Sequence, residues 1–201
     1  MLFDVTRGEL ADIFGEDRLA TLPAGAFPPV IADTDGARLL QTVGVPTGTL
    51  LLRALEKDSG RLPLVEDVVH AEAFEDAPEG AGEWPVIGWL LNAHLALDPG
   101  SGAVYAFDPD EEELRQVHAD VSSLIHVTLR FQRLLEKFTF TRDGDEEADF
   151  ERLEREVERV REETSDPFPF QDETVWSVVG EEIAAGQRFT ADSPGARSLF
   201  G

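Results

Sequence analysis

One segment constrains this chain more than any other. Across residues 84–107 the sequence runs Trp84-Pro85-Val86-Ile87-Gly88-Trp89-Leu90-Leu91, then His94-Leu95-Ala96-Leu97, then Asp98-Pro99-Gly100-Ser101-Gly102, then Ala103-Val104-Tyr105-Ala106-Phe107. Short runs rich in apolar, β-branched and aromatic residues, separated by turn formers, require an antiparallel meander that ends in a hairpin. The apolar run Pro85-Val86-Ile87-Gly88-Trp89-Leu90-Leu91 suits a central strand. Further strands are predicted at Leu50-Leu51-Leu52, as a buried strand, and at 114–118.

Helical signals flank this β-rich middle. A short helix is predicted over 6–14, where Thr6 can cap, Glu9 follows three residues on, and Leu10, Ile13 and Phe14 share a face. A second is predicted over 33–43, with Leu39, Leu40 and Val43 apolar, Gly44 following it and Pro46 barring its continuation. Residues 67–82 show no sustained period and read as a surface loop or edge. A helix opened by Ser122 or Ser123 carries Leu124, Val127, Phe131, Leu134, Leu135 and Phe138 on one face. Over 146–164, Phe150, Leu153, Val157 and Val160 recur at three-four spacing, and Glu151–Arg155, Glu156–Arg159 and Glu158–Arg161 are favourably spaced ion pairs. The last helix, over 172–186, is built around Val175, Trp176, Val179 and Ile183 and stops at Gly186. The expectation is one α+β domain over 1–190, with a central mixed or antiparallel sheet, helices packed around it and a helical C-terminal third. Residues 191–201 are expected to be a flexible tail.

Charge narrows function. The 201 residues hold 41 acids against 17 bases, a formal net charge of −24. Nucleic-acid backbones and anionic membranes are bound through Lys and Arg, so neither is an expected partner. A macromolecular partner should be basic. The acids fall in blocks, at 66–83, 108–113 and 143–163. Each block alone reads as a solvated face, but together they produce a strong negative field. The absence of cysteine excludes thiolate zinc sites, iron–sulfur clusters and disulfides, and fits a cytoplasmic location. The N-terminus shows no signal-peptide pattern, and no stretch approaches about 18 uninterrupted apolar residues.

Chemistry-bearing motifs are sparse. His70, His94, His118 and His126 match no metal-ligand spacing, and half-buried structural histidine is the reading for each. Neither a phosphate-binding Gly-rich loop nor a nucleophile elbow occurs. No catalytic residue, metal or cofactor is therefore expected. The run Asp108-Pro109-Asp110-Glu111-Glu112-Glu113 lacks the alternating ligands and glycine of a calcium loop. It reads as a solvated turn or a contact surface for a basic partner. Trp84, Trp89, Tyr105 and Trp176 read as core or core-rim residues, any exposed one of them being a possible anchor for a partner.

The order of these pieces resembles the SUKH superfamily of bacterial toxin-immunity proteins, in particular its subfamily four. The resemblance rests on Leu39-Leu40-Gln41-Thr42-Val43-Gly44-Val45-Pro46, on Ile87-Gly88, and on Leu97-Asp98-Pro99-Gly100-Ser101-Gly102-Ala103-Val104-Tyr105. It continues through Ser123-Leu124 and its helix to the closing Trp176 helix, and covers most of residues 37–187. Gly44, Pro46, Gly88, Asp98, Gly102, Tyr105 and Trp176 are the structural positions it implies. It also implies a non-catalytic antitoxin that neutralises a cognate toxin, often a nuclease or a nucleic-acid deaminase. Charge adds that Asp110, Glu111, Glu112 and Glu113, with Glu79 and Glu83, would face that toxin. The alternative is an intracellular scaffold or regulatory module of the same fold.

Overall fold

The computed structural model describes residues 2–57, 59–69, 74, 76–110, 113–141, 146–164, 175–190 and 193–200. The chain forms two compact units, Met1–His126 and Val127–Gly201. Seven α-helices and two antiparallel sheets are described, so the class is α+β with a helical C-terminal region.

In the first unit, helix α1 (Arg7–Phe14) starts at Thr6, whose Oγ1 accepts the Glu9 N–H, and buries Leu10 and Phe14. Such a cap is worth about 1 kcal/mol. Helix α2 (Asp35–Thr42) is capped in the same way by Thr34. It ends as the sequence requires: Gly44 takes φ +79°, and a Cβ there would lie 2.3 Å from the Ala20 carbonyl oxygen. Pro46 then lies in strand β2 (Val45–Pro46), paired antiparallel with β1 (Leu19–Ala20).

The main sheet has five antiparallel strands in sequential order: β3 (Leu51–Leu52), β4 (Val86–Leu90), β5 (Ala93–Leu97), β6 (Val104–Phe107) and β7 (Leu114–His118). The meander and its hairpin form as predicted. The Asp98 side chain builds the β5–β6 turn, accepting the Gly100 N–H at 2.8 Å and the Ser101 hydroxyl at 2.5 Å, while the Gly102 N–H closes back on the Asp98 carbonyl. A bulge falls between Val86 and Gly88. A Cβ on Gly88 would stand 2.5 Å from the Leu51 carbonyl oxygen, so the β3–β4 pairing requires a residue without one.

The two faces of this sheet differ. One face carries Leu90, Leu95, Leu97, Val104 and His118, all buried, and helix α2 approaches it closely enough that a Cβ on Gly36 would meet Leu97 and Val121. On the other face Val86, Ala96 and Phe107 pack under Val65, Phe74, Ala81 and Trp84. The stretch read as a loop therefore supplies a lid for this core. Together with the residues flanking it, it contributes helix α3 (Val65–Val68), a 3-10 turn at Ala81–Glu83 and the buried Phe74. That lid stops short of β3. The predicted buried strand at 50–52 is instead a two-residue edge strand, and Leu51 is 48% exposed.

Helix α4 (Val121–Lys137) opens at Asp120 rather than at a serine. The Asp120 carboxylate accepts the Ser123 N–H at 2.9 Å and the Ser122 hydroxyl at 2.7 Å. Phe3 stacks on His126 of this helix at 4.2 Å.

In the second unit, helix α5 (Glu146–Thr164) has the predicted bounds and all three predicted ion pairs. It packs Val157 and Arg161 onto helix α6 (Val175–Ala184), and Trp176 of α6 stacks on Phe131 at 5.5 Å. Within 191–201, read as a tail, helix α7 (Pro194–Phe200) forms, and its Ser198 hydroxyl accepts the Phe140 N–H.

Candidate partner-binding surface

Histidine is the one side-chain type in this sequence whose ordinary pKa lies near neutrality. His118 and Ser123 are both buried, with Nδ1 2.9 Å from Oγ and Asp120 nearby. Burial lowers the His118 pKa to about 3, against a smaller opposing pull from Asp120. The imidazole is thus held neutral inside the core, against the first turn of α4. His94 is half-buried on β5, and burial followed by the Arg53 charge lowers its pKa. His70 lies outside the described residues. Among the described residues, no three His, Asp or Glu side chains gather as metal ligands.

The acids singled out from sequence do not form one cluster. Asp110 and Glu113 stand exposed on the β6–β7 connection, at the sheet end that also carries the Leu91–Asn92 turn. Asp108 orders this loop by accepting the Asp110 N–H at 3.0 Å. Glu113 is ion-paired with Arg115, which lowers its pKa. Glu111 and Glu112 lie outside the described residues. Glu79 and Glu83 are exposed in the segment that enters the start of β4, beside the Asp98 turn. The antiparallel register puts that end of β4 a strand length, roughly 15 Å, from the Asp110 loop.

Sequence reasoning missed a second feature at the Asp110 end. Along one sheet face runs a ladder of rings: Phe74 edge-on to Phe107 at 5.8 Å, Phe107 stacked on His94 at 5.2 Å, and His94 edge-on to Trp89 at 6.2 Å. Arg53 closes it, with its guanidinium carbon 5.1 Å from the Trp89 ring centre and Nη1 3.4 Å from His94 Nδ1. Trp84 and Trp176 are buried, whereas Trp89 is half-buried. The run 86–91 looks uniformly apolar, and only the shortness of β3 reveals that Trp89 reaches an open corner.

A family model described as SUKH-4 immunity protein matches residues 5–182. The chain belongs to that family. Membership assigns the SUKH-4 protein a toxin-immunity role. The match spans all seven motif positions. Gly44, Gly88 and Gly102 serve the turns and close approaches described above, and Tyr105 packs on Trp84 at 4.8 Å. Neither a curated protein nor a solved structure shows significant similarity to the chain. Among the described residues, no helix is long and apolar enough to cross a membrane.

Proposed function

We propose that this SUKH-4 protein acts in the cytoplasm as a non-catalytic antitoxin, occupying one cognate basic toxin in a one-to-one complex. Because the family match runs through both compact units, we read residues 1–190 as one functional domain. The toxin class is a nuclease or nucleic-acid deaminase, since enzymes that act on polyanions carry cationic clefts.

The observation that carries this reading is a net charge of −24 in a member of an immunity family, with the Asp110 loop presented at one end of the five-stranded sheet. A field of that sign speeds encounter with a cationic surface and repels polyanions. Asp110, Glu111, Glu112 and Glu113 would form the leading edge. Glu79 and Glu83, at the other end of β4, would join only if the toxin spans the sheet.

Co-expression with the protein encoded beside this chain's gene tests the reading. Rescue of growth together with a one-to-one complex on gel filtration is the expected result. Absence of both, with co-purification of several unrelated proteins, would overturn it in favour of a scaffold.

A further inference from the structure

An anchor residue at an interface needs an exposed apolar group, a rigid mounting and surroundings that complement its partner. The corner of the sheet formed by Leu51, Arg53, Trp89 and His94 meets all three requirements. Leu51 is 48% exposed on the edge strand, and the register places it directly across from Trp89. The ring ladder from the buried Phe74 and Phe107 reaches the indole through His94, and Arg53 contacts both His94 and the indole ring. Little side-chain entropy remains to be lost on binding there.

The charge pattern selects the occupant. Although the chain holds 41 acids, no carboxylate of the described residues lies within ion-pair distance of Arg53, whose contacts are Trp89 and His94. The acids begin just beyond it. Asp108 is close enough to His94 to act on its charge, and Asp110 and Glu113 follow on the same loop. Among the described residues, the corner is thus an aromatic centre with a cation that no carboxylate pairs, bordered by carboxylates. A second copy of a −24 chain would be repelled before reaching it.

We propose that this corner is the anchor site for the cognate toxin, a basic protein. Its cationic surface meets the Asp108, Asp110 and Glu113 border. One apolar side chain of the toxin packs on Trp89 and Leu51, and an adjacent carboxylate or carbonyl oxygen accepts from Arg53. The assignment rests on the antitoxin reading and divides the labour within it: the acids set how fast the complex forms, and the corner sets how long it lasts.

The test measures association and dissociation rates of the full chain with the neighbour-encoded protein. Trp89→Ala should raise the dissociation rate about 30-fold, Arg53→Ala by a smaller factor, with association rates within about twofold of wild type. Leu51→Asp removes an exposed side chain without opening the core, so it keeps the test alive should Trp89→Ala unfold, and it too should speed dissociation. Val30→Ala, at an exposed position that is not part of the corner, should change neither rate. Wild-type dissociation rates in folded Trp89→Ala and Leu51→Asp variants would overturn the anchor while leaving the antitoxin reading standing. So would a dimer of the free chain that Leu51→Asp dissociates. Failure of the wild-type chain to bind at all would overturn both.

Discussion

The Arg161 guanidinium of α5 lies against Gly180 of α6, in the space a side chain there would need. A Cβ on Gly180 would stand 3.0 Å from Nε, 3.2 Å from Nη2 and 3.2 Å from Val157 Cγ1. In that position Arg161 donates to the Ser177 carbonyl at 2.9 Å and pairs with Glu158.

Gly180→Ala sets two effects against each other. Alanine gains about 1 kcal/mol of helix propensity, whereas overpacking a close interface costs about 1–3 kcal/mol. The second should win, and thermal unfolding should show destabilisation of about 1 kcal/mol. Combined with Arg161→Ala, the same substitution should lose most of that cost, because the two sites share one space. A purely additive double variant would contradict the packing described.

Leu91 is the one non-glycine residue with positive φ among those described, at +56°, in the two-residue turn between β4 and β5. A side chain in that conformation costs about 1 kcal/mol or more. Leu91→Gly should therefore raise the unfolding midpoint, and Leu91→Asn should fall between the two. A lower midpoint for the glycine variant would show that side-chain contacts of Leu91 outweigh its backbone strain.

Burial of His118 couples stability to pH. Its pKa is about 3 when folded and about 6.5 when unfolded, so the unfolded chain binds the extra proton first. The stability it contributes is complete above about pH 6.5 and is lost progressively as pH falls toward 3. From pH 6.5 to 4 that loss amounts to at most roughly 3 kcal/mol. Burial raises the Asp120 pKa, but hydrogen bonds from Ser122 and the Ser123 and Leu2 N–H groups outweigh it and hold that carboxyl below its ordinary value. Urea midpoints at pH 7 and pH 4 should differ less in a folded His118→Gln variant than in wild type.

Removing the charges of Asp110→Asn and Glu113→Gln together should slow association with the neighbour-encoded protein and flatten its dependence on salt, leaving the thermal midpoint nearly unchanged. Of the two, Asp110 should matter more, since Arg115 already offsets Glu113. An association rate indifferent to both salt and these substitutions would remove the electrostatic half of the proposed mechanism.

Local rules made much of the fold legible. Thr6 and Gly44 marked helix ends through the hydrogen bonds and backbone angles that only such residues supply, and Asp98 with Gly102 marked the hairpin. The 3.6-residue period fixed the limits of α5. Cap chemistry misled at 122–123, because Asp120 has the stronger acceptor and sits two to three residues earlier. Leu51 was misread because apolar content does not tell an edge strand from an interior one. The same limit hid the corner at Trp89: exposure there depends on where the lid over the sheet ends, which is decided by Phe74, Ala81 and Trp84 from elsewhere in the chain. The acid blocks were visible, but their separation onto opposite strand ends is a product of register.

The brevity of β3 has a consequence for a chain that must stay dispersed while leaving Leu51 and one part of the Trp89 ring open to solvent. A long open strand beside exposed apolar groups invites neighbouring backbones to add on, and fibres follow. Two residues give an intruding strand almost nothing to zip onto. The stickiness of that corner is therefore confined to side chains, where shape and charge can choose a visitor, and is denied to the main chain, which would accept any.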